Sequence, residues 1–412
     1  MYNLNIREEV FGATLNNIKT GKREYITKDE LNDILNEEKF YNNSVASELN
    51  EPIKIRFTPL KRKIYNHFSF ADIIFIELTR ACNLRCKWCY AKGTEYQKKD
   101  DMDLNMAYDI IDVCNDLDIK NITLIGGEPT IYPFLFDVIK YAHSWGISCG
   151  IVSNGLQYAN NEFLNKLIAL KIKMVSISLK GENRETFKNV TGVDAFDNVI
   201  ESIRMCKQNN VKVSVSMVLT EENIYTYLEG IKKVVSAGAD NIHLSFCYEF
   251  DNSQYHKQKT SILDPKKIVS GFMTGYEKLC EITGGRFELF QSFPLCIWNS
   301  DDIKKLVHRK QISTVCQLLR KSGLIFDSKG NVIPCNAMPT IKLGKIYEDF
   351  NTAKELIEYI KQPDIQEVYK TLCGVPNKKC LICEDYVNCG GGCVCQWTNY
   401  SFDELMTTNG KN

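Results

Sequence analysis

The sequence has no excess charge of either sign and no long apolar run. Its 51 lysine and arginine residues balance 51 aspartate and glutamate residues, so the formal net charge at pH 7 is zero. A neutral chain has no overall basic field that attracts phosphate backbones or anionic lipid headgroups. No apolar run approaches the roughly 18 residues that a membrane helix needs. The composition therefore predicts neither a nucleic-acid partner nor a membrane partner.

Patterns for secretion and for disulfide pairing are missing as well. The first ten residues, MYNLNIREEV, lack the apolar core of a signal peptide, so we expect a cytoplasmic protein. In that reducing compartment disulfides are rare, and an odd count of 17 cysteines cannot pair completely. The abundance of cysteine therefore indicates metal or cluster binding.

The order of apolar segments predicts a central α/β region at residues 71–250. Amphipathic helical segments there separate six short apolar runs, which lie at 72–78, 121–125, 149–153, 174–179, 212–219 and 241–246. Strands joined by helical crossovers form parallel sheets that are covered on both faces. We therefore predict a partial (β/α)6 barrel of parallel strands, with its chemistry at the carboxyl ends of the strands.

The flanking regions are predicted to fold differently. Residues 1–70 contain two segments around the turn NIKTGK and then the capping-box sequence TKDE, which together indicate a small α+β module of a hairpin and a helix. Residues 251–290 are predicted to be a helical connector. Residues 291–412 form an irregular, cysteine-rich domain that includes a hairpin in GLIFDSKGNVIPC.

The strongest local signal, CNLRCKWC, directly follows the first predicted barrel strand. Its three thiolates, from Cys82, Cys86 and Cys89, can bind one face of a 4Fe–4S cluster, and no fourth cysteine is nearby. A zinc site is the alternative for these cysteines taken alone. An iron without a protein thiolate can bind an external ligand, and the next two strands end in motifs suited to hold one, GGEP and Ser153-Asn154.

This combination resembles the radical S-adenosylmethionine (SAM) enzymes, whose signature CxxxCxΦC is matched by the three cysteines and by Trp88 as the aromatic residue. The resemblance covers about residues 71–250. It implies that the open iron chelates the amino and carboxylate groups of SAM. Reduction of the cluster then gives methionine and a 5′-deoxyadenosyl radical, which abstracts hydrogen from the substrate. A reductant such as flavodoxin or ferredoxin is the implied electron donor.

The same resemblance implies further SAM-binding residues. The GGEP segment matches the methionine-binding segment of the family, which assigns Gly126, Gly127 and Glu128 to the SAM amino group. Three polar residues lie where ribose and carboxylate contacts usually fall in this family: Ser153, Asn154 and Ser178. No residue that donates or accepts a proton in the reaction emerges from the sequence.

The C-terminal cysteines form a second pattern. They stand as C-x13-G-x4-C and C-x2-C-x5-C-x3-C, and the cysteines of these patterns are Cys316, Cys335, Cys380, Cys383, Cys389 and Cys393. Cysteines on turns at such spacings can ligate a metal, zinc included, without regular structure. Together the two blocks resemble a SPASM domain, which implies two auxiliary iron–sulfur clusters of 4Fe–4S type.

The SPASM resemblance leaves the fourth ligands open. It gives Cys316, Cys335 and Cys393 to the first auxiliary cluster, and Cys380, Cys383 and Cys389 to the second. A usual SPASM pattern has one further cysteine well after the C-x3-C pair, and this chain has none after residue 395. The candidates for the remaining positions are Cys296, Cys373 and Cys395.

The other cysteines and the histidines are expected to be structural. Five thiols lie singly within apolar segments and are predicted to be buried, namely Cys114, Cys149, Cys206, Cys247 and Cys280. His243, on a predicted barrel strand, is interpreted as a core histidine, and a substrate-facing position is the alternative.

Radical SAM chemistry with a SPASM extension implies a peptide maturase. The expected substrate is a ribosomally made precursor peptide, and the expected product carries a thioether, a carbon–carbon bond or a related crosslink. One alternative is an anaerobic sulfatase-maturating enzyme that makes formylglycine, disfavoured because Lys180 stands where many SPASM relatives have an acidic residue. Another is a non-catalytic iron–sulfur sensor or scaffold, against which the GGEP motif argues.

The N-terminal module has two interpretations. It can bind the leader of a peptide as an added strand at its sheet edge, or it can form a structural cap on the barrel. The sequence identifies neither the peptide nor the bond formed, and it leaves the oligomeric state open.

Overall fold

The computed structural model describes most of the chain. The described residues are 3–9, 12–17, 23–37, 52–58, 73–89, 100–172, 174–247, 264–290, 293–313, 316–320, 323–372, 377–383 and 386–396. No helix within these ranges is both long and apolar enough to cross a membrane.

Strands and helices alternate along most of the chain. The strands are β1 Leu4–Glu9, β2 Gly12–Asn17, β3 Arg23–Thr27, β4 Ile55–Thr58, β5 Ile73–Thr79, β6 Asn121–Gly126, β7 Ser148–Ser153, β8 Met174–Leu179, β9 Lys212–Leu219, β10 Asn241–Phe246, β11 Phe287–Phe290, β12 Ile312–Ser313, β13 Gly323–Phe326, β14 Asn331–Ile333 and β15 Gly344–Lys345. The α-helices are α1 Lys28–Glu37, α2 Leu104–Asp116, α3 Leu135–Ser144, α4 Asn161–Ala169, α5 Arg184–Thr191, α6 Phe196–Gln208, α7 Tyr227–Ala237, α8 Pro265–Thr283, α9 Ser300–His308, α10 Gln317–Arg320, α11 Ala353–Ile360, α12 Pro363–Leu372 and α13 Tyr386–Cys389.

The predicted parallel α/β sheet is confirmed. The six strands from β5 to β10 lie side by side in sequence order, and each pairs with the next in parallel. The helices that connect them cover one face, as right-handed crossovers require. Because β5 and β10 are not paired, the sheet stays open, as a partial barrel does.

The sheet extends beyond the six predicted strands at both edges. On one side β11 and β12 continue the parallel order after β10, so the connector region contributes a strand as well as helix α8. On the other side the predicted C-terminal hairpin, β13 and β14, joins the sheet because β13 pairs in parallel with β5. The cysteine-rich region is therefore fastened to the strand that leads into the CNLRCKWC loop.

The core lies between the sheet and its helices. On β5 the side chains of Ile74, Ile76 and Leu78 are at most 1% exposed and pack against the helical layer. Cys114 and Cys206 are fully buried in this core and Cys149 is 9% exposed, whereas Cys247 and Cys280 are only partly buried. The burial of these thiols raises the pKa of Cys149 and of Cys206 to about 12.

The N-terminal module is a separate four-stranded sheet with one helix. Its strand order is β3-β2-β1-β4, and the inward side chains form their own small core with helix α1. The capping box is present: the Thr27 backbone N–H donates to Glu30 Oε2 at 2.7 Å, and the Glu30 N–H donates to Thr27 Oγ1 at 3.3 Å. Residues 18–22, the predicted turn, lie outside the described residues.

Candidate functional site

The loop that carries Cys82, Cys86 and Cys89 starts at the carboxyl end of β5, where chemistry is expected in a parallel sheet. All three side chains are partly exposed. Burial raises the pKa of Cys82 to about 11, and the negative charge of Glu128 adds to the shift. Burial also raises the pKa of Cys86, against the opposing charge of Lys180. A bound metal reverses this effect because coordination deprotonates a thiol.

The beginning of the loop is fixed to the GGEP segment through backbone hydrogen bonds. The Gly127 N–H donates to the Thr79 carbonyl at 2.8 Å, and the Glu128 N–H donates to the Ala81 carbonyl at 2.8 Å. A Cβ atom on Gly126 would lie 2.5 Å from the Thr79 carbonyl oxygen, and one on Gly127 would lie 2.4 Å from that of Ala81. At both positions glycine therefore permits a close backbone approach between the GGEP segment and the cysteine loop.

The other end of the loop is held by helix α5. The Arg85 N–H donates to the Thr191 carbonyl at 2.9 Å, and the Lys87 N–H donates to the Val190 carbonyl at 2.9 Å. Leu84, between the first two cysteines, is 2% exposed and belongs to the main core. The cysteine loop is thus bonded on two sides and anchored by one apolar side chain.

The structure brings Glu128, Ser153 and Asn154 together at the ends of β6 and β7. The Glu128 carboxylate is 1% exposed and accepts hydrogen bonds from the Ser153 hydroxyl at 2.7 Å and from the Asn154 N–H at 2.7 Å. Thr130 donates to it as well, from its backbone N–H at 3.1 Å and from its hydroxyl. Burial raises the Glu128 pKa, and these hydrogen bonds oppose the shift.

In this network the side chains that the resemblance assigns to SAM hydrogen-bond to one another and to the cysteine loop. The Ser153 hydroxyl, expected near SAM hydroxyl groups, donates to Glu128 and accepts from the Gly155 N–H at 2.9 Å. The Asn154 side chain donates to Asn83 Oδ1 at 2.6 Å. Asn83, which the sequence analysis did not single out, follows Cys82 directly. The buried carboxylate therefore ties two strand ends to the cysteine loop.

The remaining two predicted SAM-binding residues, Trp88 and Ser178, lie on the cysteine loop and on β8. The Trp88 indole Nε1 is buried and has no acceptor among the residues that the structure describes. The Ser178 hydroxyl lies 3.2 Å from that of Ser216 on the neighbouring strand. Neither side chain is held by the Glu128 network.

Four polar side chains form a row across the open face of the sheet. The register pairs Ser178 of β8 with Ser216 of β9, Ser216 with His243 of β10, and His243 with Glu288 of β11. His243 Nδ1 lies 3.4 Å from Glu288 Oε2, and the two side chains are 46% and 45% exposed.

The position of His243 corrects its interpretation as a core histidine. Its neighbours Ile242 and Leu244 are at most 2% exposed and belong to the main core. Because successive side chains of a strand point to opposite faces, His243 faces the side away from this core. The substrate-facing alternative is therefore the one that the geometry favours.

A buried ionic network connects the start of the cysteine loop to the C-terminal hairpin of β13 and β14. Arg80 Nε lies 2.8 Å from Glu77 Oε1, and its Nη2 lies 3.2 Å from Asp327 Oδ2, just after β13. Lys342 also contacts Asp327, at 2.9 Å. Burial opposes ionisation of Asp327, but hydrogen bonds from Lys342 and Asn331 hold its pKa below the ordinary value. Burial raises the Glu77 pKa in spite of Arg80.

The described C-terminal cysteines fall into two groups. In the first, the Cys395 side chain hydrogen-bonds to those of Cys335 and Cys393, and this bond lowers the Cys335 pKa while it raises that of Cys395. The second group contains Cys296, Cys380, Cys383 and Cys389, whose thiols influence one another electrostatically.

Two of the predicted ligands are not placed in either group by these contacts. Cys316 is partly buried just before α10, and Cys373 lies outside the described residues. Within the described ranges no three cysteine, histidine, aspartate or glutamate side chains are arranged to hold a single metal ion.

Comparisons with known proteins agree with the architecture of the central region. Residues 76–245 match the model of the radical SAM superfamily. In sequence the chain is 32% identical over 179 residues to a probable GTP 3′,8-cyclase of Saccharolobus islandicus, an alignment that covers 41% of this chain and 54% of that protein. The chain thus spans about half the length of the curated relatives that it matches.

Solved structures resemble the chain over a greater length. Streptococcus suis SuiB bound to the precursor peptide SuiA is similar with a TM-score of 0.62 and 17% identity, covering 98% of this chain and 97% of that one. Native anSMEcpe with bound AdoMet and the Cp18Cys peptide has a TM-score of 0.61 and 18% identity, covering 80% and 92%. At these identities the likeness shows the fold alone.

The family match covers the strands whose carboxyl ends carry the cysteine loop, the GGEP segment and the Glu128 network. The expected SAM and 4Fe–4S cofactors follow from that match. Residues 76–245 therefore form a region that matches the radical SAM superfamily and that carries both the cysteine loop and the Glu128 network.

Proposed function

We propose that the chain is a radical SAM maturase that modifies a ribosomally made peptide and forms a thioether, a carbon–carbon bond or a related crosslink. The observation that carries the proposal is the joint presence of a braced three-cysteine loop and two further cysteine groups in one fold. Likeness along nearly the whole chain to SuiB, solved with a precursor peptide, supports a peptide substrate.

The residues of the loop fit a 4Fe–4S cluster with one open iron. Three thiols face the carboxyl edge of the sheet, and the described part of the loop has no fourth cysteine. When bound, such a cluster supplies the electron that cleaves SAM. The protein holds the loop rigid through the Glu128 network and through helix α5, and the charge of Lys180 beside Cys86 favours the ionised thiolate.

We propose that the C-terminal cysteines bind two auxiliary iron–sulfur clusters rather than zinc. Nine cysteines lie in this region, and two 4Fe–4S clusters bound only by cysteine need eight. We propose that these clusters accept the electron left after bond formation or contact the substrate. The SPASM assignment rests on this donor set and on the cysteine spacing.

The peptide is proposed to bind on the open face of the sheet and at the N-terminal module. The row from Ser178 to Glu288 offers hydroxyl, imidazole and carboxylate groups on that face. In the module, β4 is an edge strand, and unpaired backbone groups of an edge can take up a further strand. Helix α9 lies against β3, at the opposite edge.

The proposal is tested by anaerobic reconstitution and coexpression. The protein is expected to produce 5′-deoxyadenosine under dithionite and to change the mass of a peptide encoded by a neighbouring reading frame. An intact iron content without SAM cleavage would indicate a sensor or scaffold. Formylglycine in a sulfatase-derived peptide would establish sulfatase maturation instead.

GTP is included as a competing substrate because of the sequence relatives. Turnover of GTP without any peptide product would overturn the proposed function and would favour a nucleotide cyclase. The peptide is preferred because the likeness to SuiB extends over 98% of the chain, whereas the alignment to the cyclase covers 41%.

A further inference from the structure

We infer that His243 accepts the proton that the peptide loses when its crosslink forms, and that Glu288 holds the imidazole in the tautomer which this role requires. The inference rests on the proposed function, which supplies the peptide and the radical chemistry. It assigns separate tasks to two side chains of the polar row on the open face of the sheet.

His243 is accessible although it lies in the middle of a sheet strand. β10 is paired on both sides, with β9 and with β11, yet the His243 side chain is 46% exposed. The side chains beside it on the same face are small, since Ser216 pairs with His243 and Ser245 follows two residues later on β10. The imidazole can therefore contact a molecule that binds on the open face.

The carboxylate of Glu288 determines which nitrogen of His243 is free to accept a proton. His243 Nδ1 lies 3.4 Å from Glu288 Oε2, across the pairing of β10 with β11. A carboxylate beside this nitrogen favours the tautomer with hydrogen on Nδ1, so Nε2 keeps its lone pair. The pair thus combines a base with the group that orients it. Among the side chains in register with His243, Glu288 is charged and Ser216 is neutral.

A second polar group on this face indicates that a ligand or water binds there. The Ser214 residue is 4% exposed, and its hydroxyl has no hydrogen-bond partner among the residues that the structure describes. Ser214 lies two residues before Ser216, so both face the same side of β9. Because a buried hydroxyl without a partner is costly, a polar group of a bound molecule is expected to complete it.

The position of His243 leaves room for a substrate group beside the expected SAM site. Ser178, which the resemblance assigns to SAM, is separated from His243 by β9, that is by two strand spacings or about 10 Å. A side chain of a peptide can occupy this gap. His243 is therefore placed to act on the peptide.

The proposed step balances in atoms and electrons. One carbon of the peptide loses a hydrogen atom to the 5′-deoxyadenosyl radical and bonds to a second group of the peptide, a thiol or a carbon that carries hydrogen. This second group gives up its proton and one electron as the new bond forms. The proton passes to His243 Nε2, and the electron passes to an auxiliary iron–sulfur cluster, the acceptor class of the proposed function. Glu288 then stabilises the imidazolium.

The role of His243 is tested by crosslink formation in His243→Gln, with 5′-deoxyadenosine measured in parallel. Loss of a general base is expected to lower the rate of crosslinking about 100-fold or more. 5′-Deoxyadenosine should still form, because abstraction of the hydrogen atom precedes the proton transfer. The matched control is His308→Gln at the exposed end of α9, which should crosslink normally. Unchanged crosslinking in His243→Gln, or an equal loss of 5′-deoxyadenosine, would overturn the inference.

The role of Glu288 is tested by a measurement that needs no turnover. The reconstituted, oxidised full chain is labelled with ¹⁵N in its histidines, and the His243 signals are identified by their absence in His243→Gln. Where the imidazole is neutral, hydrogen is expected on Nδ1, and Glu288→Leu should shift it toward Nε2. Glu288→Leu should also slow crosslinking and leave SAM cleavage intact. Hydrogen on Nε2 of His243 in the unaltered protein would overturn the task of the pair.

Failure of this inference can be distinguished from failure of the proposed function. If the unaltered protein forms no crosslinked peptide, the proposed function fails and the task of His243 fails with it. If the unaltered protein forms the crosslink and His243→Gln forms as much, only the task of His243 fails.

Discussion

Replacement of Arg80 by methionine tests how the radical SAM loop is tied to the C-terminal region. The Arg80 guanidinium bridges Glu77 and Asp327, whose side chains are 6% and 0% exposed. Removal of one partner from a buried ionic network costs about 3–5 kcal/mol. We expect the lower end, about 3 kcal/mol, because Lys342 still neutralises Asp327. For a domain of this size the melting temperature should fall by roughly 6–12 °C.

The loss should depend on pH in a defined direction. Burial already raises the Glu77 pKa, and loss of Arg80 raises it further because the attraction to the guanidinium disappears. The native state of the variant then holds a proton that the unfolded chain releases above the ordinary carboxyl pKa. Its stability therefore falls as pH rises above the ordinary carboxyl pKa, and the deficit relative to the unaltered protein grows in the same direction.

Two further variants separate the buried charge from other effects. Glu77→Gln combined with Arg80→Met removes the unpaired carboxylate and should recover much of the loss, and its melting temperature should lose the pH dependence. Arg184→Met removes an exposed pair with Asp197 and should leave the melting temperature unchanged. The assay is thermal unfolding by circular dichroism, with the iron content measured in parallel. Equal melting temperatures for Arg80→Met and Arg184→Met at pH 8 would refute the reasoning.

Three other predictions follow from the same structure. Simultaneous replacement of Cys82, Cys86 and Cys89 by alanine should remove about four irons per chain and abolish 5′-deoxyadenosine formation while the auxiliary iron stays, and retained SAM cleavage would contradict the ligand assignment. Gly127→Ala should lower cluster loading because its Cβ would lie 2.4 Å from the Ala81 oxygen, whereas Gly150→Ala, with its nearest neighbour at 3.6 Å, should load normally. Deletion of residues 1–60 should weaken peptide binding, measured by fluorescence anisotropy, and leave uncoupled SAM cleavage intact; unchanged binding would favour the structural cap.

The central strands could be predicted because their signal is local. The six predicted runs are apolar and helical segments separate them, and the structure places a strand at each run with boundaries shifted by at most one residue. The strands β11 and β12 escaped prediction because they have four and two residues. Runs that short carry too little periodicity to be separated from the flanking helices.

The details of the site were harder to predict because they are set by tertiary contacts. Arg80 and Asp327 are 247 residues apart in sequence, so no spacing pattern connects them. The glycines of GGEP were identified, but only the structure shows that their partner is the loop backbone. Asn83 could have been noticed because it lies inside the cysteine signature. Its hydrogen bond from Asn154 could not be predicted, since it depends on how the segments that follow β5 and β7 lie against each other.

The hairpin geometry sets the distance between the first auxiliary group and the SAM site. β13 runs parallel to β5, so the hairpin turn that follows β13 and contains Asp327 lies at the carboxyl ends of the parallel strands. β14 is antiparallel to β13 and therefore runs back toward their amino ends. Ile333 at the end of β14 pairs with Ile325 of β13, and Ile325 pairs with Phe75 of β5. Phe75 lies four residues before Thr79, the last residue of β5. Along the strand direction Ile333 is therefore about 13 Å from the start of the loop, and Cys335 follows it by two residues. An auxiliary cluster held there would be joined to the radical SAM loop by a continuous sheet, and its separation favours a role in electron transfer or substrate contact over direct contact with SAM.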